Sequence, residues 1–198
     1  MDFTALKAEL AERGFDYLTT TRQGQFINDA RAELDDMFTW PYLLTTLADI
    51  SSPTAISDFR SLRAVYQADG GAEIPVVTRD WLRNQYGDLS TVGTAAYAYM
   101  DGASTPGLRT YPHQSSGLNA DYYRYGPDLS AGTDEPLAPE RFHGLIVDLA
   151  VERAYRDSDN HTAAEQLRVS IERRLAAMVK ALLMDGSTEH VRTGRGFW

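Results

Sequence analysis

The chain has 198 residues and a net charge of −9, with 43% hydrophobic and 24% charged residues. That length suits one domain, or one domain carrying an inserted subdomain, and it can bury a core without covalent staples. The absence of cysteine excludes disulfides, thiolate catalysis and cysteine-ligated zinc, and the acidic balance argues against wrapping nucleic acid by neutralising phosphates.

The positive charge is almost all arginine, with Lys7 and Lys180 the only lysines. A negative surface can still face DNA across water, where like charge keeps a passing duplex from sticking. The opening MDFTALKAELAER carries acids where a signal peptide needs a basic segment and an apolar run. No stretch approaches the ~18 apolar residues of a membrane span. The expectation is a protein made in the cytoplasm, without membrane contact.

Residues 3–13 show helical spacing in Phe3, Leu6 and Leu10, with Gly14 as a stop. Thr20 and Gln23 have the spacing of a capping box, opening a second helix with an apolar stripe of Phe26, Ile27, Ala30, Leu34 and Phe38. Trp40-Pro41 ends it, because the residue before proline avoids helical torsions. From residue 42 the period changes. YLLTTLADI and FRSLRAVYQ read as strands, and Asp69-Gly70-Gly71 turns the second of them into the extended run AEIPVVT. Thr78 caps a short helix, RDWLRNQYG, with Trp81, Leu82 and Tyr86 on one face. TAAYAYMDG is a further strand. GLRTYP and LNADYYRY read as strand, turn, strand, a hairpin completing a second sheet segment. The count between residues 42 and 126 is about five or six strands.

GPDLSAGTDEPLAPE is an exposed loop, rich in turn residues. Pro139 suits the first position of a helix whose apolar face is Phe142, Leu145, Ile146, Leu149, Ala150 and Ala154. DSDNHT separates it from a last helix over 161–184, with Leu167, Ile171, Leu175, Met178 and Leu182 as its stripe. The expected fold class is α+β. The N- and C-terminal helices, 1–41 and 137–186, form an α-helical bundle, because neither pair buries its stripe alone. Residues 42–136 form an inserted antiparallel β region, and 187–198 a flexible C-terminal tail.

The search for chemistry is mostly negative. His113, His143, His161 and His190 have no metal-ligand spacing and sit on four separate elements. Asp35 and Asp36 are adjacent on a helix and point apart. Asp134 and Glu135 precede a helix start, where negative charge favours the helix dipole. HQSSG lacks the strand–turn–helix setting of a nucleophile elbow. DGGAE and TGRG lack the setting of a phosphate loop. No catalytic residue, metal site or cofactor is expected. Tyr97, Tyr99, Tyr122, Tyr123 and Tyr125 have too few basic neighbours for a single-strand stacking platform, so they read as sheet packing and protein interface.

The stretch GLRTYPHQSSGLNADYYRYGPDLS, followed by TDEPLAPERFHGLIVDLAVERAY, resembles the bacteriophage head-to-tail adaptor (connector) proteins. The residues carrying the likeness are Leu108, Arg109, Tyr111 and Pro112; Tyr122 and Tyr123; Pro127 and Leu129; and Asp134, Pro136, Pro139, Phe142 and His143. The N-terminal helix pair and the Trp40-Pro41 junction resemble the same group. Each motif is loosely spaced, and their order is the stronger signal.

The resemblance implies a non-enzymatic virion neck protein, present in the host cytoplasm during assembly. It implies a ring of twelve copies under the portal protein, extending the channel through which genomic DNA passes without sequence-specific binding. The ring then offers a surface to stopper and tail proteins. The Tyr97, Tyr99, Tyr122, Tyr123 and Tyr125 set becomes a subunit or tail interface. In the tail, Arg192 and Arg195 suit acidic patches and Phe197 and Trp198 suit apolar pockets, so the tail is expected to dock on the portal. The rivals are another neck protein, either a stopper or a tail-completion protein, and a small cytosolic hydrolase using His113 or His143.

Overall fold

The structure, a computed structural model, describes residues 1–102 and 106–184. It is mixed helix and antiparallel sheet. Two compact units emerge: Leu44–Tyr125 form one, and the chain on either side of that stretch forms the other.

In the helical unit, α1 (Phe3–Leu10) starts at Asp2, whose Oδ1 accepts the Ala5 N–H at 2.8 Å. Phe3, Leu6 and Leu10 are its buried face. Gly14, at φ 97°, breaks the turn Ala11–Phe15 that follows, a torsion suited to glycine. α2 (Thr20–Met37) is capped by Thr19, one residue earlier than the expected Thr20. The expected capping partner Gln23 is buried instead, donating from Nε2 to the Phe15 carbonyl at 3.1 Å. It satisfies a carbonyl of the preceding turn, so the Thr20–Gln23 box does not form.

Phe26, Ile27, Ala30 and Leu34 are buried as expected, while Phe38 is extended and partly exposed. Trp40 is fully buried, and its Nε1 donates to the Leu34 carbonyl at 2.6 Å. One side chain thus both ends the helix and satisfies a carbonyl there.

α4 (His143–Asp157) follows a short turn, Glu140–Phe142, so helical structure begins one residue after Pro139. Leu145, Ile146, Val147, Leu149, Ala150, Val151 and Ala154 bury it nearly all round, the pattern of a central helix. It packs against α1, α2 and α5 (His161–Val179). The expected α5 stripe is only half realised. Ala164, Ile171 and Met178, seven residues apart, are buried, whereas Leu167, Leu175 and Leu182 stay partly exposed. A seven-residue spacing is one seam against one neighbour.

Residues 126–136, expected as the end of the β region, are laid on α1 and α2. The Phe3 and Thr4 N–H groups donate to Asp134 and Gly132 carbonyls at 2.7 and 3.0 Å. The Asn28 side chain exchanges two hydrogen bonds with the Leu129 backbone, at 3.0 and 2.9 Å.

In the β unit, the strands are β1 (Leu44–Ile50), β2 (Thr54–Ala55), β3 (Phe59–Gln67), β4 (Glu73–Ile74), β5 (Tyr97–Asp101), β6 (Gly107–Tyr111) and β7 (Leu118–Arg124). They form a four-stranded sheet ordered β1-β7-β3-β4 and a three-stranded sheet ordered β2-β6-β5. The expected β3–β4 hairpin across Asp69-Gly70-Gly71 is present, with Val65 opposite Ile74. The expected hairpin of GLRTYP with LNADYYRY is not. β6 lies between β2 and β5, and β7 between β1 and β3, so both edges of each strand are taken within separate sheets.

The crossing segment between them is held by Gln114. It exchanges side-chain amide bonds with Gln67 at 2.9 and 3.1 Å and accepts the Ala95 N–H at 2.9 Å. Its backbone carbonyl accepts the Ser52 N–H at 3.0 Å. The inward faces of both sheets share one core: Val65, Leu118, Ala120 and Tyr122 from the first, Ala98 and Leu108 from the second. α3 (Arg79–Tyr86), capped by Thr78 as expected, covers the other face of the three-stranded sheet through Leu82, Tyr99 and Tyr111.

Candidate functional site

The arginine bias of the sequence has a structural use in the helical unit. α4 carries two buried acids one turn apart, Asp148 and Glu152. Asp148 accepts from Arg13 at 2.5 Å and from Arg174 of α5. Glu152 accepts from Arg156 at 2.7 Å and faces Arg168 of α5 at 3.5 Å. Arg153 reaches from the same helix to Glu33 of α2, with two donors at 2.7 and 3.0 Å. The planar guanidinium fork suits such paired contacts better than an ammonium does. Burial works against the charge of Arg13, but its bonds to Glu9 and Asp148 outweigh that and raise its pKa above the ordinary value.

A second set, centred on the buried Arg31 and Asp35, joins α2 to the 126–136 segment through the exposed Asp128. Arg31 donates to Asp35 at 3.0 Å and to Asp128 at 2.8 Å, and the Tyr42 hydroxyl donates to Asp35 at 3.0 Å. Gly126 lies directly over this cluster. A Cβ there would stand 2.4 Å from Arg31 Nη1 and 2.5 Å from Asp35 Oδ2. These carboxylates are bound up in structural ion pairs, which gives them a packing role.

Asp134 does not act on a helix dipole, since helical structure starts only at Glu140. The Ser130 and Ala131 N–H groups, each at 2.8 Å, close a loop on its carboxylate and hold its pKa below the ordinary range. His143 is buried, and its Nε2 lies 2.7 Å from the Ala138 carbonyl. That nitrogen must donate, so Nδ1 is the acceptor facing the Met1 amino group at 2.9 Å. His113 is tied through its backbone to Thr91 and Gly93, and His161 opens α5. His190 lies outside the described residues. Among the described residues no cluster of histidines and acids could hold a metal ion, and no helix is long and apolar enough to cross a membrane.

The five tyrosines read from the sequence separate. Tyr99 and Tyr122 are buried, in two different cores. They are packing residues within this chain, because their alternating neighbours on β5 and β7 face the other way. Burial and a 2.9 Å bond to Asp58 push the Tyr122 phenol up to about 12. Tyr97 and Tyr123 are half-buried, and Tyr125 is exposed. Arg192, Arg195, Phe197 and Trp198 lie outside the described residues.

Sequence reasoning passed over the outer face of α3. Trp81, Leu82 and Tyr86 do not share one buried face: only Leu82 is inside. Trp81 and Tyr86 flank it, with ring centroids 5.2 and 6.0 Å from that of Tyr97, and Tyr86 also meets Tyr111 at 4.7 Å. On the other flank, Asp101 pairs with Arg79 at 2.7 Å and Arg109 at 3.0 Å. Arg83 stands beside them with no side-chain partner among the described residues. The signal was in RDWLRNQY, where two aromatics and two arginines surround a single aliphatic residue.

In the helical unit a shallow open groove runs beside α2, lined by Asp29, Ala32, Glu33, Asp36, Met37 and Arg153. Of the chain's net −9, residues 44–125 carry only −2, eight acids against six arginines, leaving −7 for the rest of the sequence.

None of the curated proteins matches this chain. A family model described as SU10 adaptor protein matches residues 1–195. With nearly the whole chain matched, and with its buried charges committed to holding elements together, the chain belongs to the SU10 adaptor protein family, an adaptor family of phage virions.

Proposed function

We propose that this protein is a non-enzymatic head-to-tail adaptor of the virion neck. It binds the portal protein as a ring of copies, extends the DNA channel and presents the surface on which stopper and tail proteins dock. The observation that carries the reading is the family match over residues 1–195. The net charge of −9 supports it, because a negative channel lets DNA slide without being held. So does the use of Asp148, Glu152 and Asp35 as structural ion pairs.

In this reading the tail residues Arg192, Arg195, Phe197 and Trp198 dock on the portal, with the arginines on acidic patches and the aromatics in apolar pockets. Tyr97, Tyr123 and Tyr125 contribute to contacts between subunits or with the tail. Deleting residues 187–198, or replacing Phe197 and Trp198 by alanine, should abolish portal binding while leaving the circular dichroism of the chain intact. Undiminished portal binding by the truncated chain would remove the docking role of the tail.

A further inference from the structure

We infer that α5 is a detachable arm: it opens from α4 as a unit about the joint at Asn160 while the rest of the helical unit stays folded. Only its use, carrying residues 185–198 out to the portal, rests on the docking reading above.

Little of α5 is committed to the core. Three of its nineteen residues, Ala164, Ile171 and Met178, are buried, against ten of fifteen in α4. α1 and α2 pack on α4, and α5 has α4 as its main neighbour. Leu167, Leu175 and Leu182 stay partly exposed. An element with a thin buried seam opens at lower free energy than the core it lies on.

The ion pairs between the two helices are duplicated. Asp148 accepts from Arg174 of α5, and also from Arg13 at 2.5 Å. Glu152 faces Arg168 of α5 at 3.5 Å, and also Arg156 of its own helix at 2.7 Å. Removing the sole partner of a buried carboxylate is costly, because the charge is left unanswered. Here each acid keeps an arginine when α5 leaves. Arg168 and Arg174, already 51% and 52% exposed, pass into water.

The joint is built to turn. The N–H groups of Ser158, Asp159 and Asn160 close the end of α4 on the carbonyls of Ala154, Arg156 and Tyr155, at 3.1, 3.2 and 2.9 Å. The Asn160 carbonyl accepts the Ala164 N–H at 3.2 Å and its Oδ1 accepts the Ala163 N–H at 3.3 Å, which opens α5. Rotation about the two soft torsions of Asn160 moves its carbonyl with α5 and leaves its N–H with α4, so no backbone bond of either helix breaks. Asp159 beside it sits at φ 58°, a left-handed torsion that costs a non-glycine residue and that clusters at switch regions. The arm that swings is about 28 Å long, and residues 185–198 follow its end turn, Lys180–Met184, directly.

Hydrogen exchange of the full chain, read by mass spectrometry over 161–179 and 143–157, tests the opening. The expected result is exchange of α5 as a block, on the order of tenfold or more faster than α4. Going from low to high salt should speed α5 about fivefold further, because two half-exposed ion pairs are screened, and leave α4 unchanged. Arg168→Ala with Arg174→Ala should give the fast rate already at low salt. Arg153→Ala, which cuts α4 from Glu33 of α2, should not change α5. The use of the arm is tested with a tether. A Cβ at Gly144 would stand 3.7 Å from Arg174 Nη1, and the chain has no cysteine of its own. Gly144→Cys with Arg174→Cys, joined by a short bis-maleimide that contains a disulfide, should lose portal binding and regain it on reduction. An α5 that exchanges no faster than α4 at either salt would overturn the inference. A tethered chain that binds the portal as well as the reduced one would overturn the arm's use in docking. A wild-type chain that opens α5 but ignores the portal would overturn the docking reading and support the arm.

Discussion

The buried carboxylate of Asp148 ties α4 to two other elements, and its replacement by asparagine tests the charge framework directly. The side chain is 4% exposed and accepts from Arg13 and Arg174, which are 34% and 52% exposed. Breaking a buried pair costs roughly 3–5 kcal/mol when the remaining charge is trapped. Here both arginines reach solvent and can be rehydrated, and asparagine keeps one acceptor, so the low end applies, about 3 kcal/mol. For a chain of this size that lowers the melting temperature by about 6–12 °C. Scanning calorimetry reads it. Arg168→Ala is the contrast: its 3.5 Å contact with Glu152 is half in water and should cost under about 1 kcal/mol. If Asp148→Asn melts within about 2 °C of the wild type, the ion pairs on α4 do not hold the helices together and the reasoning fails.

Other perturbations probe separate features. Gly126→Ala should destabilise the helical unit by roughly 1–3 kcal/mol, since its Cβ would collide with the buried Arg31–Asp35 pair and force those side-chain ends to shift; an unchanged urea midpoint would contradict that packing. Gln114→Ala should lower the stability of the β unit by about 2–3 kcal/mol, because it strands the Gln67 amide and the Ala95 N–H, and hydrogen exchange at β6 and β7 should speed up with it. The raised pKa of Tyr122 keeps the folded state protonated when unfolded tyrosine has begun to ionise near pH 10. Its contribution is therefore fully present below pH 10 and lost as pH rises toward about 12. Tyr122→Phe should flatten that alkaline limb, and a wild-type tyrosinate titration complete by pH 10.5 would exclude the shift.

Local signals in the sequence carried well where one element decides its own structure. Thr78 before RDWLRNQY, the Gly-rich turn between β3 and β4, and the apolar face of α4 all depend on neighbours in the chain, and mixed helix and antiparallel sheet follows from them. Strand pairing was not legible in the same way. β6 and β7 are separated by a short turn-like segment, yet they join different sheets because the partners of each come from far along the chain. Nothing in HQSSG announces that Gln114 will bond across to Gln67. Buried polar residues were missed for a related reason: Gln23 looks like a surface residue until the Phe15 carbonyl it bonds is seen, and Asp148 and Glu152 until the arginines that answer them are seen. The α3 face was overlooked because aromatic residues on a short amphipathic helix read as core. Only the exposure of Trp81 and Tyr86 shows otherwise.

The central claim is that this chain acts as a ring on the portal, and native mass is its most direct test. Light scattering of the purified protein, alone and mixed with its cognate portal, should show the portal complex gaining a whole ring of adaptor copies. A chain that leaves the mass of the portal unchanged at every salt concentration would contradict the account.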